Sequence, residues 1–490
     1  MAVRAVDVVV VGAGTAGSAF AGRLSEAPGR TVLLLEAGGA SWPPEIRDVT
    51  SLAATDPRHP WNWAHPARLR ARRWELVPRG RGLGGSSAIN GAAWVRVTPA
   101  DADGWGMPGW GWADLLPHYI RSEDDRDLCG PLHGRGGPVP VQRPSGALLH
   151  PAAERFLAAA ARLGYPAEPD LNAGGAPGAG LVPSNSVDGV RVNAAMAYLA
   201  AYRAGERPGL TVRTGASVLR IVLDGTRAVG VELVGGEIVE AGEVVLAAGG
   251  IGTPELLLRS GIGPGDGLRA AGVAVRHELP GVGQGFSDHP AVFVPFADTD
   301  PPVHDGAPAT QAALNFDTGA DPPGDAEVLL FVRPFVVGGP LHAMCLLQQP
   351  DSRGTITLDA AGEPVIEHHY LRTEHDRRRL RHAIRTAAEL LRAGLGSRVD
   401  PPGDVLGNDR RLDGWIAAHL TTAAHLCGSA AMGPVVDPDL RVRGLDGLRV
   451  VDVSVLPTVP RRGPAATAVA IGEKAATTVE NEVVVIQKPR

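Results

Sequence analysis

An α/β fold built around a parallel sheet is what this sequence predicts, on three observations. Residues 6–11, Val-Asp-Val-Val-Val-Val, form the short β-branched run of a strand buried on both faces. Gly12-Ala13-Gly14-Thr15-Ala16-Gly17 follows at once and opens a helical pattern over Ala16–Leu24. Far down the chain, 211–249 is β-rich and ends in Glu243-Val244-Val245-Leu246-Ala247-Ala248-Gly249-Gly250. The chain has 490 residues. At roughly 150 residues per domain, that suggests two to four units rather than one core.

Each element has a physical reason. Gly12 permits a tight turn, Gly14 lets backbone approach a pyrophosphate, and Gly17 lets the helix pack closely on the strand. The helix start at Thr15 and Ala16 offers free N–H donors and a partial positive charge. A second strand, Thr31–Leu35, ends in Glu36 and Ala37, with Glu36 placed to accept hydrogen bonds from a ribose. The order of strand, glycine turn, helix, strand and acid is that of a Rossmann-like dinucleotide site. NAD and FAD both use this unit. The late strand favours FAD, because it looks like the one that returns to the nucleotide sheet in flavoproteins of the two-dinucleotide type. Pro78–Gly91 supplies a second glycine-rich loop, where missing side chains let backbone come close to a ligand. It lacks the Lys-Ser/Thr ending of a phosphate-hydrolysing loop.

Composition narrows the class. A hydrophobic fraction of 44%, a charged fraction of 20% and a net charge of −6 fit a soluble globular protein without a basic field for nucleic acid. No apolar run approaches the ~18 residues of a membrane span, and no basic-then-apolar leader precedes the first strand. Cys129, Cys345 and Cys427 are odd in number and far apart. They predict a reducing, cytoplasmic setting without disulfides. No CxxC is present, and His368-His369 is not spaced for a helical metal face, so no metal is expected. Glu123-Asp124-Asp125-Arg126-Asp127 is read as a solvated face.

With these loops in hand, the chain resembles the glucose-methanol-choline (GMC) oxidoreductase family over about residues 6–476. The landmarks occur in the family's order. After the first turn and Glu36-Ala37-Gly38 come Gly84-Gly85-Ser86-Ser87 with Asn90-Gly91, then Trp105, Gly109-Trp110 and His133-Gly134. Arg191 with Asn193-Ala194-Ala195, Gly252-Thr253-Pro254 to Gly263, and Asp288-His289-Pro290 follow. Ser352-Arg353-Gly354, His425 to Gly433, Val451-Asp452, Pro457-Thr458 and Glu473-Lys474-Ala475 complete the set. The resemblance implies a discontinuous FAD-binding domain over 1–45, 75–98, 205–290 and 435–490. It implies a substrate-binding domain and lid, with an antiparallel sheet and helices, over 46–74, 99–204 and 291–434. Segment 291–330, rich in Pro, Asp, Gly and Ala, reads as a long irregular region. The cofactor contacts expected are Gly12, Gly14, Thr15, Ala16, Gly17, Glu36, Ala37, Gly84, Ser86, Asn90, Gly91, Ala92, Val218, Ala248, Asp452 and Val453. Ile89 stands where some relatives carry a histidine that attaches FAD covalently, so noncovalent FAD is expected.

The implied reaction is oxidation of an alcohol to a carbonyl by hydride transfer to flavin N5, with dioxygen or a carrier reoxidising the flavin. A base helps because an alkoxide is a far better hydride donor than an alcohol, typically by ~10²–10⁴-fold. The family's base matches His425 in His425-Leu426-Cys427-Gly428-Ser429-Ala430-Ala431-Met432-Gly433, with serine for the usual threonine. The family's second catalytic position, usually His or Asn, falls on Gly463, counting from Val451-Asp452 or back from Glu473-Lys474. Asn90, His289 or His419 could replace the missing group, or His425 could suffice alone with a bound water. Dehydrogenation next to an activating group, or a lyase reaction on the same fold, is the alternative. Arg461 and Arg462 are read as partners for an acidic substrate group or, by preference, as solvated surface arginines. Trp61-Asn62-Trp63 packs either near the flavin edge or in the scaffold.

Overall fold

The computed structural model describes residues 6–297, 304–319, 323–336, 338–396 and 398–487. The valine run is the strand Val6–Val11, whose last four residues are buried. It lies parallel to Val32–Leu35 on one side and to Ile238–Leu246 on the other, with Val9 opposite both Leu33 and Val244. Leu210–Arg213 extends the sheet past Val32–Leu35, and Leu448–Val450 joins Ile238–Leu246, also in parallel. Nine residues make Ile238–Leu246 long enough for two sets of neighbours. Its first half pairs antiparallel with Arg227–Leu233, which pairs with Val218–Asp224. The chain leaves Val6–Val11 toward one edge and returns on the other side of it. The strand order therefore reverses between Val6–Val11 and Ile238–Leu246, and ligand crevices of open α/β sheets form at such a point, beyond the strand carboxyl ends. Gly12 and Ala248 sit there.

The helix Thr15–Leu24 packs under the sheet and against the C-terminal helix Ala465–Gln487. A side chain at Gly472 would bring its Cβ within 2.5 Å of the Ala16 carbonyl oxygen, so glycine is what lets these helices touch. Glu473 follows and is buried. Its carboxylate accepts from Arg23 Nε at 2.8 Å and from the Tyr198 hydroxyl at 2.6 Å.

A second body is a six-stranded sheet in the order Thr421–Thr422, Pro290–Phe296, Leu341–Leu347, Ala326–Phe331, Thr310–Phe316 and Ala179–Leu181, antiparallel throughout. One face buries Val292, Leu314, Val328 and Ala343 against Phe156, Leu380 and Ile384 of the helices Pro151–Arg162 and Glu374–Leu395. The other gathers Phe293, Leu329, Phe331, Met344 and Leu346 toward Ala423, two residues before His425. A five-stranded sheet runs Gln284–Phe286, Gly354–Leu358, Pro364–Glu367, His65–Arg70, Arg73–Val77.

Two expectations are corrected. Segment 291–330 is not a long irregular region, since it holds Pro290–Phe296, Thr310–Phe316 and most of Ala326–Phe331. Its Pro, Asp and Gly residues cluster in the connections, and of that segment 298–303 and 320–322 lie outside the described residues. Nor is Glu123–Asp127 a solvated face, because Glu123 and Asp125 are fully buried. Arg96 holds Glu123, Arg143 holds Asp125 at 3.0 Å, and His133 Nδ1 lies 3.0 Å from Asp125. Although Glu123, Asp125 and His133 are close enough to ligate an ion, the guanidinium groups already neutralise those carboxylates.

Candidate active site

At the switch point the glycines divide by what requires them. A Cβ on Gly12 would lie 2.6 Å from the Ala247 oxygen, and one on Gly17 would lie 2.0 Å from the Gly12 oxygen. Both glycines answer to the protein's own packing. A Cβ on Gly14 would meet nothing nearer than 3.9 Å, so the space before it is left free by the protein. Thr15–Leu24 starts there without a side-chain cap and without an acid in its first turn, which leaves its N–H donors for an anionic ligand. Gly85 of the second loop lies against Gly14, and Gly84 N–H donates to the Ala13 oxygen at 2.8 Å. Ser87 is buried and donates to the Gly84 oxygen at 2.6 Å, whereas Ser86 is exposed on the loop. Glu36 accepts from Ala13 N–H at 3.1 Å and Gly38 N–H at 2.8 Å. Burial raises its carboxyl above the usual range, and those amides, with Gly82 and Arg81, offset part of the rise. Ala37 is half-buried beside it. These residues fit a dinucleotide with its pyrophosphate at Gly14 and a ribose at Glu36.

The remaining expected contacts lie on the elements that follow. Ala248 caps the helix Gly249–Arg259, and Asp452 closes that helix start from the C-terminal segment. The buried Asp452 carboxylate accepts from Gly249 N–H at 2.9 Å, Thr253 Oγ1 at 2.5 Å and Ser454 N–H at 2.8 Å. Its carboxylate is thus committed to the scaffold, and it ties the strand end to Val453. Val218, half-buried, starts the outer strand Val218–Asp224. Asn90 Oδ1 accepts from Ala92 N–H at 3.0 Å, which holds Ala92 at φ 58° just past Gly91. Ile89 is buried among Ile46, Trp61 and Ala88. Trp61 is scaffold, its ring filling the space where a Gly82 side chain would stand, while Trp63 is exposed beside Arg81.

His425 is half-buried, on the stretch that follows Thr421–Thr422. Ala424 before it is held at φ 59°, a left-handed conformation uncommon for alanine, by a 2.9 Å bond from its N–H to Thr422 Oγ1. Asp288 organises the neighbourhood. Its Oδ1 accepts from the backbone N–H of His289 and of His425, each at 2.7 Å. Its Oδ2 accepts from Thr422 Oγ1 at 2.8 Å and lies 3.2 Å from His368 Nε2. Burial pushes the Asp288 carboxyl up, but His368, Arg79 and His425 outweigh that and hold it below the usual range. Burial also lowers the His425 imidazole to about 3, helped by His289 and Arg79 and opposed by Asp288. His425 is therefore neutral at physiological pH. Ser429, in place of threonine, donates to the Gly250 oxygen at 2.6 Å and so ties the histidine motif to the nucleotide helix.

Gly463 lies directly against His425. A Cβ there would stand 3.4 Å from His425 Cε1 and 3.5 Å from Nε2, with no other heavy atom of the described residues within 4 Å apart from its chain neighbours. Its φ is not among the positive ones, so backbone geometry does not call for glycine. What glycine leaves is room beside Nε2. None of the three named substitutes fills it. His289 touches His425 through Nδ1, the other side of the ring. Asn90 is turned to Ala92. His419 is exposed at a helix end and stacked on Trp415.

Arg461 and Arg462 correct both earlier readings, for they are buried and neither is free for a substrate acid. Arg461 pairs with Asp101 through its guanidinium and donates its backbone N–H to the same carboxylate at 2.9 Å. Arg462 pairs with Glu168 at 3.2 Å. Sequence reasoning missed Asp288, Arg79, Asp101 and Glu168. Asp288 stood in a quoted landmark and Arg79 in the second glycine loop, but nothing local marked Asp101 or Glu168.

A glycine turn on the nucleotide sheet and a neutral histidine whose motif is bonded back to Gly250 fit a flavin-dependent oxidoreductase, and known proteins agree. The chain belongs to the GMC oxidoreductase family, whose N-terminal model matches residues 6–291 and whose C-terminal model matches 350–472. It is 39% identical to an uncharacterized GMC-type oxidoreductase from the thcA 5′ region of Rhodococcus erythropolis, over 96% of this chain and 97% of that one. It is 34% identical to an oxygen-dependent choline dehydrogenase of Klebsiella pneumoniae, over 96% and 95%. Among solved structures, pyridoxine 4-oxidase from Mesorbium loti superposes with a TM-score of 0.90 at 32% identity, covering 97% of this chain and 99% of that one. Formate oxidase superposes with a TM-score of 0.89 at 26% identity, covering 98% and 99%. The protein is an FAD-dependent oxidoreductase, and its relatives support alcohol oxidation as the general activity. Among the described residues no helix is long and apolar enough to cross a membrane.

Proposed function

We propose that this enzyme oxidises the CH–OH group of a small alcohol to a carbonyl, with His425 as the base. The observation that carries this reading is the space beside His425 Nε2 that Gly463, having no side chain, leaves open. When bound, FAD supplies the acceptor, at N5, for the hydride of the carbinol carbon. The protein's part is to seat the hydroxyl in the space at Gly463 and to take its proton at His425 Nε2. Asp288 holds the His425 backbone and favours the imidazolium that results. Phe293, Leu329, Phe331 and Met344 give the sheet face leading to Ala423 an apolar character, which keeps the site dry and strengthens its polar contacts.

The FAD-holding part comprises 1–45, 75–98, 205–290 and 435–490, which contain every strand of the nucleotide sheet. The substrate part comprises 46–74, 99–204 and 291–434, and the five-stranded sheet draws on both. FAD is held without a covalent bond, since Ile89 offers no nucleophile. The three cysteines are free, which suits a reducing, cytoplasmic compartment.

Anaerobic mixing with a panel of alcohols tests the activity. Bleaching of the oxidised flavin by an alcohol is expected, and His425→Ala should slow it by at least ~10²-fold. Turnover without bleaching would point to a lyase instead, and an unchanged rate in the variant would remove His425 from the role.

A further inference from the structure

His425 can act as a base at Nε2 only if its proton sits on Nδ1. Free to choose, a neutral imidazole has two tautomers, and one of them puts N–H where the lone pair is needed. The structure settles that choice from behind. His289 Nε2 lies 2.9 Å from the Pro460 carbonyl oxygen. A carbonyl only accepts, so His289 carries its proton on Nε2 and leaves a lone pair on Nδ1. That Nδ1 lies 3.0 Å from His425 Nδ1. Two lone pairs would repel at this distance, so His425 donates, and its proton is on Nδ1. The rings meet edge to face, at 87°, with His289 fully buried.

We infer that His289 is a positioning residue that sets the His425 tautomer, so that the Nε2 lone pair faces the space at Gly463. This rests on the reading of His425 as base. Burial lowers the His289 imidazole to about 4, with Asp288 and the Pro460 and Gln348 carbonyls opposing it, so both rings stay neutral together. Charged groups around the pair are Asp288, bound to both backbones, and Arg79 on the His425 side. The chain of bonds ends on a carbonyl that cannot take up a proton. His289 is thus a lock and not a proton wire, and the proton gained by His425 leaves by the Nε2 side, through the substrate space. Pro460 also lies three residues before Gly463, so one bond fixes both the tautomer and the loop that shapes the space.

Two measurements on the oxidised holoenzyme test the inference. With ¹⁵N-labelled histidine, and His425→Ala to assign the signal, His425 should show the Nδ1-protonated pattern at pH 7. In His289→Leu that pattern should be lost and flavin reduction should slow by about tenfold or more, with KM changed less than threefold. His289→Gln can accept through its oxygen and donate through its nitrogen, and should restore most of the rate. An Nε2-protonated His425 in the wild type would overturn the proposal even if His289→Leu fails to fold. Equal rates in the Leu variant and the wild type would also overturn it. Should His425→Ala itself bleach normally, the base assignment falls, which is a separate failure.

Discussion

Under the proposed function, Gly463 is the residue on which specificity turns. Chain neighbours aside, a Cβ there would meet only the His425 ring within 4 Å among the described residues, and the backbone is of a kind that other residues adopt. A larger side chain should therefore fold and simply occupy the space. Gly463→Asn is expected to leave the melting temperature within about 2 °C of wild type, since no core contact or positive φ is disturbed. Activity on a bulky alcohol should fall by roughly tenfold or more, while a small primary alcohol is less affected, because one misplaced group beside the reacting oxygen removes the productive pose. Equal losses on both would show that the space does not hold substrate.

Loops and strand ends, rather than whole helices, do the positioning at the next scale up. The loop bearing Gly463 is clamped by two buried ion pairs, Arg461 with Asp101 and Arg462 with Glu168. Asp101 also caps the helix Pro99–Gly104, bonded to Thr98 in a reciprocal box, so a helix start far along the chain anchors the loop that bears Gly463. The second glycine loop is held by Ser87 and by Gly84 against the first. Ile89 packs into its own apolar cluster on that loop and has no atom that could bond a flavin. Denaturing the protein in acid and filtering it should release the yellow colour as free FAD. Flavin retained on the polypeptide would show covalent attachment somewhere else.

For the molecule as a whole, burial of neutral histidines links stability to pH. Burial depresses His65, His118 and His289 to about 4 and His425 to about 3. In the unfolded chain such groups titrate near 6.5. Between about pH 6.5 and 4 the unfolded state thus binds more protons than the folded one, and stability rises with pH across that window. Asp288 acts in the same direction at lower pH, because its stabilisation is present above the unfolded carboxyl range and is lost as pH falls through its depressed native value. Thermal unfolding of the holoenzyme should move steadily to lower temperature from pH 7 to pH 4.5. A melting temperature that is flat or rises on acidification would mean that these histidines are solvated in the native state.

The nucleotide half was legible because its signals are local. A glycine turn, a β-branched run and an acid at the end of the next strand each act within a few residues, and their spacing survives in one dimension. The position of Gly463 could be counted for the same reason, and so could the place of His425. Partners brought together by folding could not be read this way. Arg461 and Arg462 looked like surface charges because nothing near them in sequence offers a counter-ion, and Asp101 and Glu168 reach them only across the packed domains. Glu123 and Asp125 looked solvated because the arginines that bury them, Arg96 and Arg143, lie 27 and 18 residues away in sequence. His289 could be named as a candidate to fill the space at Gly463, but the antiparallel sheet that sets Pro290 against Thr422 places it at the other side of the His425 ring. Local chemistry thus names the cofactor class and the histidine proposed as base, whereas tertiary packing decides which nitrogen of that histidine meets His289 and what lies beside the other.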